Sequence, residues 1–330
     1  MPTAIDLPTP AAAPAGPRRI TAIALFAARK LGGAVLVLFL AGTLTFIVLK
    51  LAGGDPVSIA LGPNGISTPD ARAALAHQFN LDRPVWEQYL LYLRDLAVGN
   101  LGTSYTQRAP VSVVIGPQLG PTVELAVTAG ALAVILGTVS GLLVSRSRKI
   151  GSLLIQGLEI LAASIPTFWL GILLLTVFSF TLHWLPVSGA DGPQALILPS
   201  IALALPLAAV LAQVVRENAT QTIRAPFVLS ARARGITELR ITLGHIAKHT
   251  AGTAINVAGW FIGGLLGGAV LTESVFGRPG IGQLALSAVI SRDMPVVMSV
   301  VFLSAVVYVV INTGLDVIHA ALDPRINRER

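Results

Sequence analysis

The chain has 330 residues, of which 54% are hydrophobic and 12% charged, and its formal net charge is +7. Soluble domains carry about 25% charged residues, so this composition excludes a soluble fold with a single core and indicates that a lipid bilayer surrounds most of the chain. The chain contains no cysteine, which excludes disulfides and cysteine-ligated metal sites, and its positive charges lie between apolar stretches, which argues against nucleic-acid binding.

The chain divides into a tail, residues 1–30, and a predicted transmembrane domain, residues 31–330. The first part of the tail is rich in Pro and Ala and is predicted to be disordered. It lacks the apolar core and cleavage site of a signal peptide, so we expect the first span to be retained. A helix needs roughly 20 apolar residues to cross the hydrocarbon core, and six stretches qualify: 31–51, 121–144, 160–182, 196–215, 252–271 and 295–315.

The distribution of Lys and Arg predicts the orientation of these spans. Of the 23 basic residues, 16 lie in the tail, in the loops after the second and fourth spans, and in the C-terminal segment. Membrane proteins concentrate Lys and Arg in their cytoplasmic loops. The predicted fold class is therefore an all-α membrane protein with six transmembrane helices and both termini in the cytoplasm.

Residues 52–120 form a predicted external loop that is too long to be a simple connector. Thr68 is a candidate N-cap for one short helix, and Asp82-Arg83-Pro84 precedes a second. The second carries an apolar stripe at helical spacing, which either packs on the protein's own outer surface or serves as a platform for an external partner. The platform residues would be Trp86, Tyr89, Leu90 and Leu93.

Residues 216–250 form a basic cytoplasmic loop between the fourth and fifth spans. Pro226 and Gly235 divide it into two helical pieces, 227–234 and 237–248. The small residues Ser230, Ala231 and Ala233 allow close backbone approach, and Gly235 supplies the positive φ that turns the chain sharply. The pattern predicts an angled pair of short helices that seats in a socket on another protein.

Several short motifs occur in a fixed order along the chain. They are Gly54-Asp55-Pro56, Leu81-Asp82-Arg83-Pro84, Gly99-Asn-Leu-Gly102, Pro121-Thr122-Val-Glu124-Leu125, Ser164-Ile-Pro166-Thr-Phe168, Ser230-Ala-Arg-Ala-Arg-Gly235, Glu273-Ser-Val-Phe276, Pro279-Gly280-Ile-Gly282 and Asp323-Pro324-Arg325. With these motifs in this order, the chain resembles the integral-membrane permeases of bacterial binding-protein-dependent ABC importers, specifically the dipeptide/oligopeptide/nickel class.

The resemblance implies a type I importer permease fold in the bacterial inner membrane. It implies a homologous second permease subunit, two ATP-binding subunits, an extracytoplasmic substrate-binding protein and a surrounding lipid membrane as partners, with no nucleic acid. It implies no cofactor in this chain, because ATP and Mg are held by the partners. It also implies that the cytoplasmic loop docks on the ATPase subunit, through Ser230, Ala231, Arg232, Ala233, Arg234, Gly235 and Arg240.

The chain contains no phosphate-binding loop of the form Gly-x-x-x-x-Gly-Lys-Ser/Thr. The nearest match, residues 277–282, is followed by Gln283 and not by Lys. We therefore expect no ATP hydrolysis by this chain and no enzyme activity of its own. The alternative is a self-contained secondary transporter or channel, against which the lack of mid-membrane carboxylates argues.

The fifth span is rich in glycine at positions that share a helix face: Gly259, Gly263 and Gly267, with Gly264 and Gly268 beside them. Small residues four apart let transmembrane helices approach closely. Two interpretations remain open, namely packing within this chain and packing at a subunit interface or along the translocation pathway.

Three carboxylates lie near span ends: Glu124, Glu159 and Asp316. They either reach the headgroups or cap helices, or they line a substrate path. His245 and His249 share a helix face, which favours a surface helix over a metal site. Pro166 lies inside the third predicted span and either kinks it or provides a hinge.

Overall fold

A computed structural model describes residues 18–62, 68–145, 150–187 and 192–322. Within them the only extended pairing is an isolated bridge between Thr103 and Pro110, and the all-α prediction is confirmed. The segment predicted to be disordered lies outside the described residues, apart from Arg18. The helices are α1 (Arg18–Leu51), α2 (Pro56–Leu61), α3 (Pro69–Gln78), α4 (Val85–Ala97), α5 (Val111–Val144), α6 (Ile150–Ser164), α7 (Thr167–Leu174, continued by a π-helical segment Leu175–Thr181), α8 (Gln194–Ile223), α9 (Pro226–Ala233), α10 (Glu238–Ile241, followed by a π-helical segment Thr242–Ile246), α11 (Ala247–Val275), α12 (Ile281–Ile290) and α13 (Met294–Leu322).

In the part of the chain that the structure describes, four helical stretches are long and apolar enough to cross a membrane: Ala28–Leu51, Val111–Val144, Gln194–Ile223 and Met294–Val317. The bent pair of α6 and α7 provides a fifth candidate. The predicted span 252–271 lies on α11. The count of six spans and the cytoplasmic position of both termini stay predictions.

The third predicted span, 160–182, consists of two helices whose axes differ by 108°. The first ends at Ser164, and Pro166 occupies the N-cap of the second. Proline has no N–H to donate and restricts the residue before it to extended conformations, so one helix ends here and another begins. The effect of Pro166 is therefore a sharp break between two helices, larger than a kink within one.

Helix α5 begins at Val111 and not at the predicted position 121, and it runs through Pro117 and Pro121. Its small residues face α8. A methyl group added to Gly137 would lie 2.8 Å from the carbonyl oxygen of Ala208, and one added to Gly141 would lie 2.7 Å from that of Ala212. Small side chains allow this close backbone approach, and dispersion contacts then hold the two helices together. The α5–α8 pair forms the centre of the fold.

Short helices α2, α3 and α4 lie between the first two spans, and we call them the outer layer because the sequence predicts that this segment is external. The predicted N-cap is present, because the Thr68 side chain accepts a hydrogen bond from the Ala71 amide at 3.2 Å. Helix α2 has the same kind of cap at Asp55, whose carboxylate also accepts hydrogen bonds from Ser58 and Arg72. These bonds, from Ser58 and then from Arg72, lower the pKa of Asp55 to about 2. The Arg72 contact joins α2 to α3.

Helix α4 packs on α1 through its aromatic side chains. The ring of Phe46 lies 5.3 Å from that of Tyr89 and 5.8 Å from that of Tyr92, measured between ring centroids. The Tyr89 hydroxyl also hydrogen-bonds the Thr43 hydroxyl at 2.7 Å. The apolar stripe noted in the sequence lies on a different side of α4 from these tyrosines, since Trp86 is 65% exposed.

Buried Asp293, at the start of α13, ties the outer layer to the transmembrane helices. Its carboxylate accepts hydrogen bonds from the Ser104 hydroxyl at 2.5 Å, from the Tyr105 amide at 3.1 Å and from the Thr106 hydroxyl at 2.6 Å. Burial, together with the Asp293 charge, raises the pKa of Tyr105 to about 12. The turn before α5 is therefore fixed against α13.

Candidate functional site

The elbow, which we define as residues 225–246, follows directly from α8. Ala225 is extended and Pro226 occupies the first position of α9, where a missing N–H costs nothing. Helix α9 ends at Arg234, and Gly235 follows with φ of +74°. Glycine adopts this conformation at no steric cost. The positive φ that the sequence predicts at Gly235 is therefore present.

One face of the elbow is anchored in the protein's own core. Val228 and Ile241 are 0% exposed and Ala231 is 1% exposed, in a cluster that includes Val215 of α8. Burying apolar side chains of this size stabilises each by about 1.5–3 kcal/mol. The elbow is therefore held against α8 by buried apolar contacts.

The exposed surface of the elbow carries three large apolar side chains among basic ones. Leu229 is 70% exposed, Leu239 66% and Leu243 61%. A single exposed leucine is ordinary, but three on one short elbow, with exposed arginines beside them, suit contact with another protein. Sequence reasoning missed these leucines because it concentrated on the small and basic residues around them.

An ion pair spans the turn at Gly235. The Nε atom of Arg232 donates to Oε1 of Glu238 at 2.7 Å, and this hydrogen bond raises the pKa of Arg232 above its usual value. Because both side chains are more than 40% exposed, solvent screens the pair and its contribution to stability is small. Its effect is to hold α9 and α10 at a defined angle.

The residues predicted for the elbow have different surroundings. Ala231 faces the core, whereas Ser230, Arg232, Ala233, Arg234, Gly235 and Arg240 are exposed. Phe227 stacks on the rings of His249 and His245, at 4.9 and 6.5 Å between centroids. The two histidines therefore pack against an aromatic ring, and the described residues contain no group of three or more potential metal ligands.

The intramembrane carboxylates are paired with basic residues. Buried Glu159 contacts Arg216 of α8 and accepts a hydrogen bond from the Ser140 hydroxyl at 2.6 Å. Asp316 of α13 contacts Lys30 of α1. The sequence identified both acids but not their partners. The need to neutralise a charge in the membrane predicts that partners exist, without saying which residues they are.

The glycines of the fifth predicted span pack partly within this chain. A methyl group on Gly259 would lie 2.3 Å from Leu315 of α13, and one on Gly268 would lie 2.8 Å from Leu203 of α8. Around Gly267 nothing lies within 4 Å. The surroundings of Gly263 and Gly264 fall outside the described residues. Gly259 and Gly268 thus allow close packing in the chain, and Gly267 leaves room beside the helix.

The motif Glu273–Gly282 connects α11, α12 and α5 at their outer ends. Fully buried Glu273 accepts hydrogen bonds from the Thr122 hydroxyl at 2.6 Å and from the Gly282 amide at 2.8 Å. A methyl group on Gly280 would lie 2.3 Å from the Glu273 carboxylate. Arg278, 1% exposed, donates through Nη2 to Oε2 of Glu124 at 2.6 Å. These residues form a buried polar cluster beneath an exposed carboxylate.

Comparison with known proteins agrees with this architecture. A family model described as the binding-protein-dependent transport system inner membrane component matches residues 133–328, and the model for the N-terminal part of such membrane components matches residues 23–126. The di/tripeptide transport system permease protein DppB of Pseudomonas aeruginosa is 33% identical over 336 residues, covering 92% of this chain and 99% of the relative. The glutathione transport system permease protein GsiC of Escherichia coli K12 is 33% identical over 301 residues, covering 90% and 97%.

A solved structure shares the fold. The MetNI methionine ABC transporter in an inward-facing conformation contains a chain that superposes with a TM-score of 0.55 at 18% identity, covering 63% of this chain and 96% of that one. Family and fold agree with the helical architecture and with the resemblance noted in the sequence. The chain belongs to the inner membrane components of binding-protein-dependent transport systems, and is a multi-pass ABC transporter permease that works in a complex with ATPase and substrate-binding partners.

Proposed function

We propose that this chain forms half of the translocation pathway of an importer for peptides or peptide-like small ligands. The other half is a homologous second permease, and two ATP-binding subunits and one extracytoplasmic binding protein complete the complex. The names of the relatives support the substrate class, since they transport di- and tripeptides or glutathione. ATP and Mg are bound by the partner subunits and not by this chain, in which Gln283 follows the nearest glycine-rich segment.

The observation that carries the coupling role is the two-faced elbow. Its inner face is packed against α8 through Val228 and Ile241, while its outer face presents Leu229 and Leu239. An exposed apolar face on a rigidly anchored lever can transmit the movement of an attached protein. Closure of the ATPase subunits would push the elbow, and α8 would carry the displacement to α5, with which it is closely packed.

The angle between helices α6 and α7 favours a translocation pathway whose shape can change. Their 108° break at Pro166 places two short helices at an angle. The ion pair of Glu159 with Arg216 links the first of these helices to α8. Beyond the break, Leu175 packs in one cluster with Leu198 and Ala202 of α8. Movement of α8 therefore reaches both sides of the break. The outer layer, with exposed Trp86 and Leu90, provides the surface on which the binding protein delivers its ligand.

The coupling role is tested by changing Gly235 in a complex reconstituted with its ATPase and binding protein in liposomes. Glu at this position would strain the turn and add a negative charge beside Arg232 and Arg234, so we expect uptake and binding-protein-stimulated ATPase activity to fall at least tenfold. Asn tolerates positive φ far better than Glu, so Gly235→Asn should retain most of the activity.

A matched control is Gly62→Glu in the outer layer. Gly62 also has φ of +74°, with nothing within 4 Å of an added methyl group, and its ψ of 171° is one that glycine alone adopts readily. A glutamate is therefore strained here too, but the site is distant from the elbow. We expect much smaller losses from this variant. Equal activity of Gly235→Glu and wild type would refute the coupling role, and ion-gradient-driven uptake by this chain alone would refute the importer proposal.

A further inference from the structure

The pair formed by Glu124 and Arg278 at the outer end of α5 is exposed on one side only. The Arg278 side chain is 1% exposed, whereas that of Glu124 is 55% exposed. Nη2 of Arg278 donates to Oε2 of Glu124 at 2.6 Å, and lies 3.4 Å from the carbonyl oxygen of Pro121. The buried guanidinium of Arg278 thus binds one carboxylate oxygen of Glu124 from the protein interior. The other oxygen, Oε1, remains available to a different partner.

Arg278 is only partly satisfied in this arrangement. Its Nε and Nη1 atoms are buried and have no hydrogen-bond partner among the described residues. A buried donor without a partner is unfavourable, and such groups in native proteins are found where function requires them. An arginine with unpaired buried donors does more than fill space, because an apolar residue would fill the same space without the cost of removing these donors from water.

The carboxyl groups around Arg278 leave one acceptor open to a ligand. The single guanidinium lies among two carboxyl groups, those of Glu124 and buried Glu273. The oxygens of Glu273 accept hydrogen bonds from Thr122, Gly282 and Gln283 and are enclosed by these donors. The carboxylate of this cluster that reaches the surface is therefore that of Glu124.

An exposed carboxylate on a membrane-spanning helix contacts water or protein, because its transfer into hydrocarbon is too costly. Glu124 lies on the outer part of α5, below the turn that Asp293 fixes to α13. Where a second permease does not cover it, a carboxylate at this position is open to a substrate that enters from the binding protein.

We propose that Glu124 is a substrate-binding residue whose Oε1 atom accepts hydrogen bonds from a primary ammonium group of the transported molecule, with Arg278 as the positioning residue for the carboxylate. This inference rests on the proposed function. Glutathione and all di- and tripeptides that do not begin with proline contain a primary ammonium group, so one carboxylate can serve them. An ammonium has three N–H donors and pairs well with a carboxylate oxygen.

The test is equilibrium binding of small probes to the purified complex of both permeases with the ATPase subunits, in lipid nanodiscs without binding protein. It is performed without nucleotide and in the ATP-bound state, with three probes. Alanyl-alanine has an N-terminal ammonium, N-acetyl-alanyl-alanine has none, and N-acetyl-alanyl-lysine has one on its side chain only. We expect alanyl-alanine to bind at least tenfold more tightly than N-acetyl-alanyl-alanine in at least one of the two states. If N-acetyl-alanyl-lysine binds as tightly as alanyl-alanine, the site recognises any primary ammonium group. If N-acetyl-alanyl-lysine binds weakly, the site recognises the N-terminal ammonium group specifically.

Glu124→Gln should weaken binding of alanyl-alanine roughly tenfold or more, the range of a lost charge-assisted hydrogen bond, and leave that of N-acetyl-alanyl-alanine unchanged. The matched control is Asp316→Asn, which removes another partly exposed, ion-paired carboxylate (38% exposed) far along the sequence. It should bind all probes as wild type does. If Glu124→Gln does not fold, the double variant Glu124→Gln/Arg278→Gln removes both charges and should show the same selective loss.

Several results would overturn the proposal. These are equal weakening of all probes by Glu124→Gln, loss of complex assembly in both charge-removing variants, and no detectable binding of alanyl-alanine to the wild type in either state. They would leave the proposed function intact as long as the reconstituted importer still takes up alanyl-alanine. Failure of uptake in the wild type would instead refute the proposed function.

Discussion

A glycine-to-alanine exchange in α5 tests the close approach of α5 and α8 on which the fold depends. A methyl group on Gly141 would lie 2.7 Å from the carbonyl oxygen of Ala212 and 2.8 Å from Cβ of Val215. Carbon atoms in favourable contact are about 3.5–4.0 Å apart, so the helices must separate by several tenths of an ångström or more. Overpacking of this kind costs about 1–3 kcal/mol.

The matched control lies in α6. Nothing is within 4 Å of a methyl group on Gly157, and replacing an unobstructed helical glycine by alanine stabilises a helix by about 0.5–1 kcal/mol. The two variants should therefore change stability in opposite directions, although the chemical change is identical.

The measurement is the thermal denaturation midpoint of the purified complex in detergent. Gly141→Ala should lower the midpoint, whereas Gly157→Ala should leave it unchanged or raise it. If Gly141→Ala were as stable as Gly157→Ala, the α5–α8 interface could not be as tight as the distances state, and the route from the elbow to α5 would lose its basis.

Two further predictions concern charged contacts. Asp55, whose pKa lies at about 2 and below its ordinary value of 3.8, stabilises the link to Arg72 above pH 4 and loses this effect as the pH falls from about 4 to 2. Pepsin should therefore cleave α2 and α3 faster as the pH falls through this range, whereas Asp55→Asn should be cleaved rapidly throughout; a wild type cleaved equally at both ends of the range would contradict this. Glu159→Gln leaves Arg216, which is 19% exposed, without its counter-charge and should destabilise the complex by up to about 3 kcal/mol, and Arg216→Gln added to it should recover part of the loss. A double variant no more stable in thermal denaturation than Glu159→Gln would count against a buried ion pair.

Features set by local chemistry could be predicted from the sequence. Thr68 caps α3 because a hydroxyl can reach the amide three residues ahead. Gly235 turns the elbow because glycine readily adopts positive φ. The helical class followed from apolar composition alone. In each case the information lies within a few residues of the position concerned.

Features set by contacts between distant segments could not be predicted. Spacing along the chain identifies small residues at 137 and 141 but not that α8 is their partner. Pro166 could be expected to bend a helix, but the 108° angle depends on what packs around it. The stripe of Trp86 and Leu90 was expected to be either a packing face or a platform, and packing on α1 through Tyr89 and Tyr92 leaves it exposed.

Sequence pattern also gave an incomplete account of the functional site. The small and basic residues around Gly235 indicated a docking elbow, but the exposed apolar residues Leu229 and Leu239 emerged only when the buried face was known. A residue on a short helix is assigned to the buried or the open face by the elements packed against it. That information is not contained in an eight-residue helix such as α9.

The most direct test of the central claim is to locate the elbow's exposed face in the assembled importer. The chain contains no cysteine, so Leu239→Cys introduces a unique thiol, and Trp86→Cys provides the control in the outer layer. With a photoreactive maleimide on the thiol, Leu239→Cys should form a covalent adduct with the ATPase subunit, and Trp86→Cys should not. A membrane-impermeant maleimide added to intact spheroplasts should label only Trp86→Cys. Labelling of Leu239→Cys from outside, or no ATPase adduct from it, would contradict the coupling elbow.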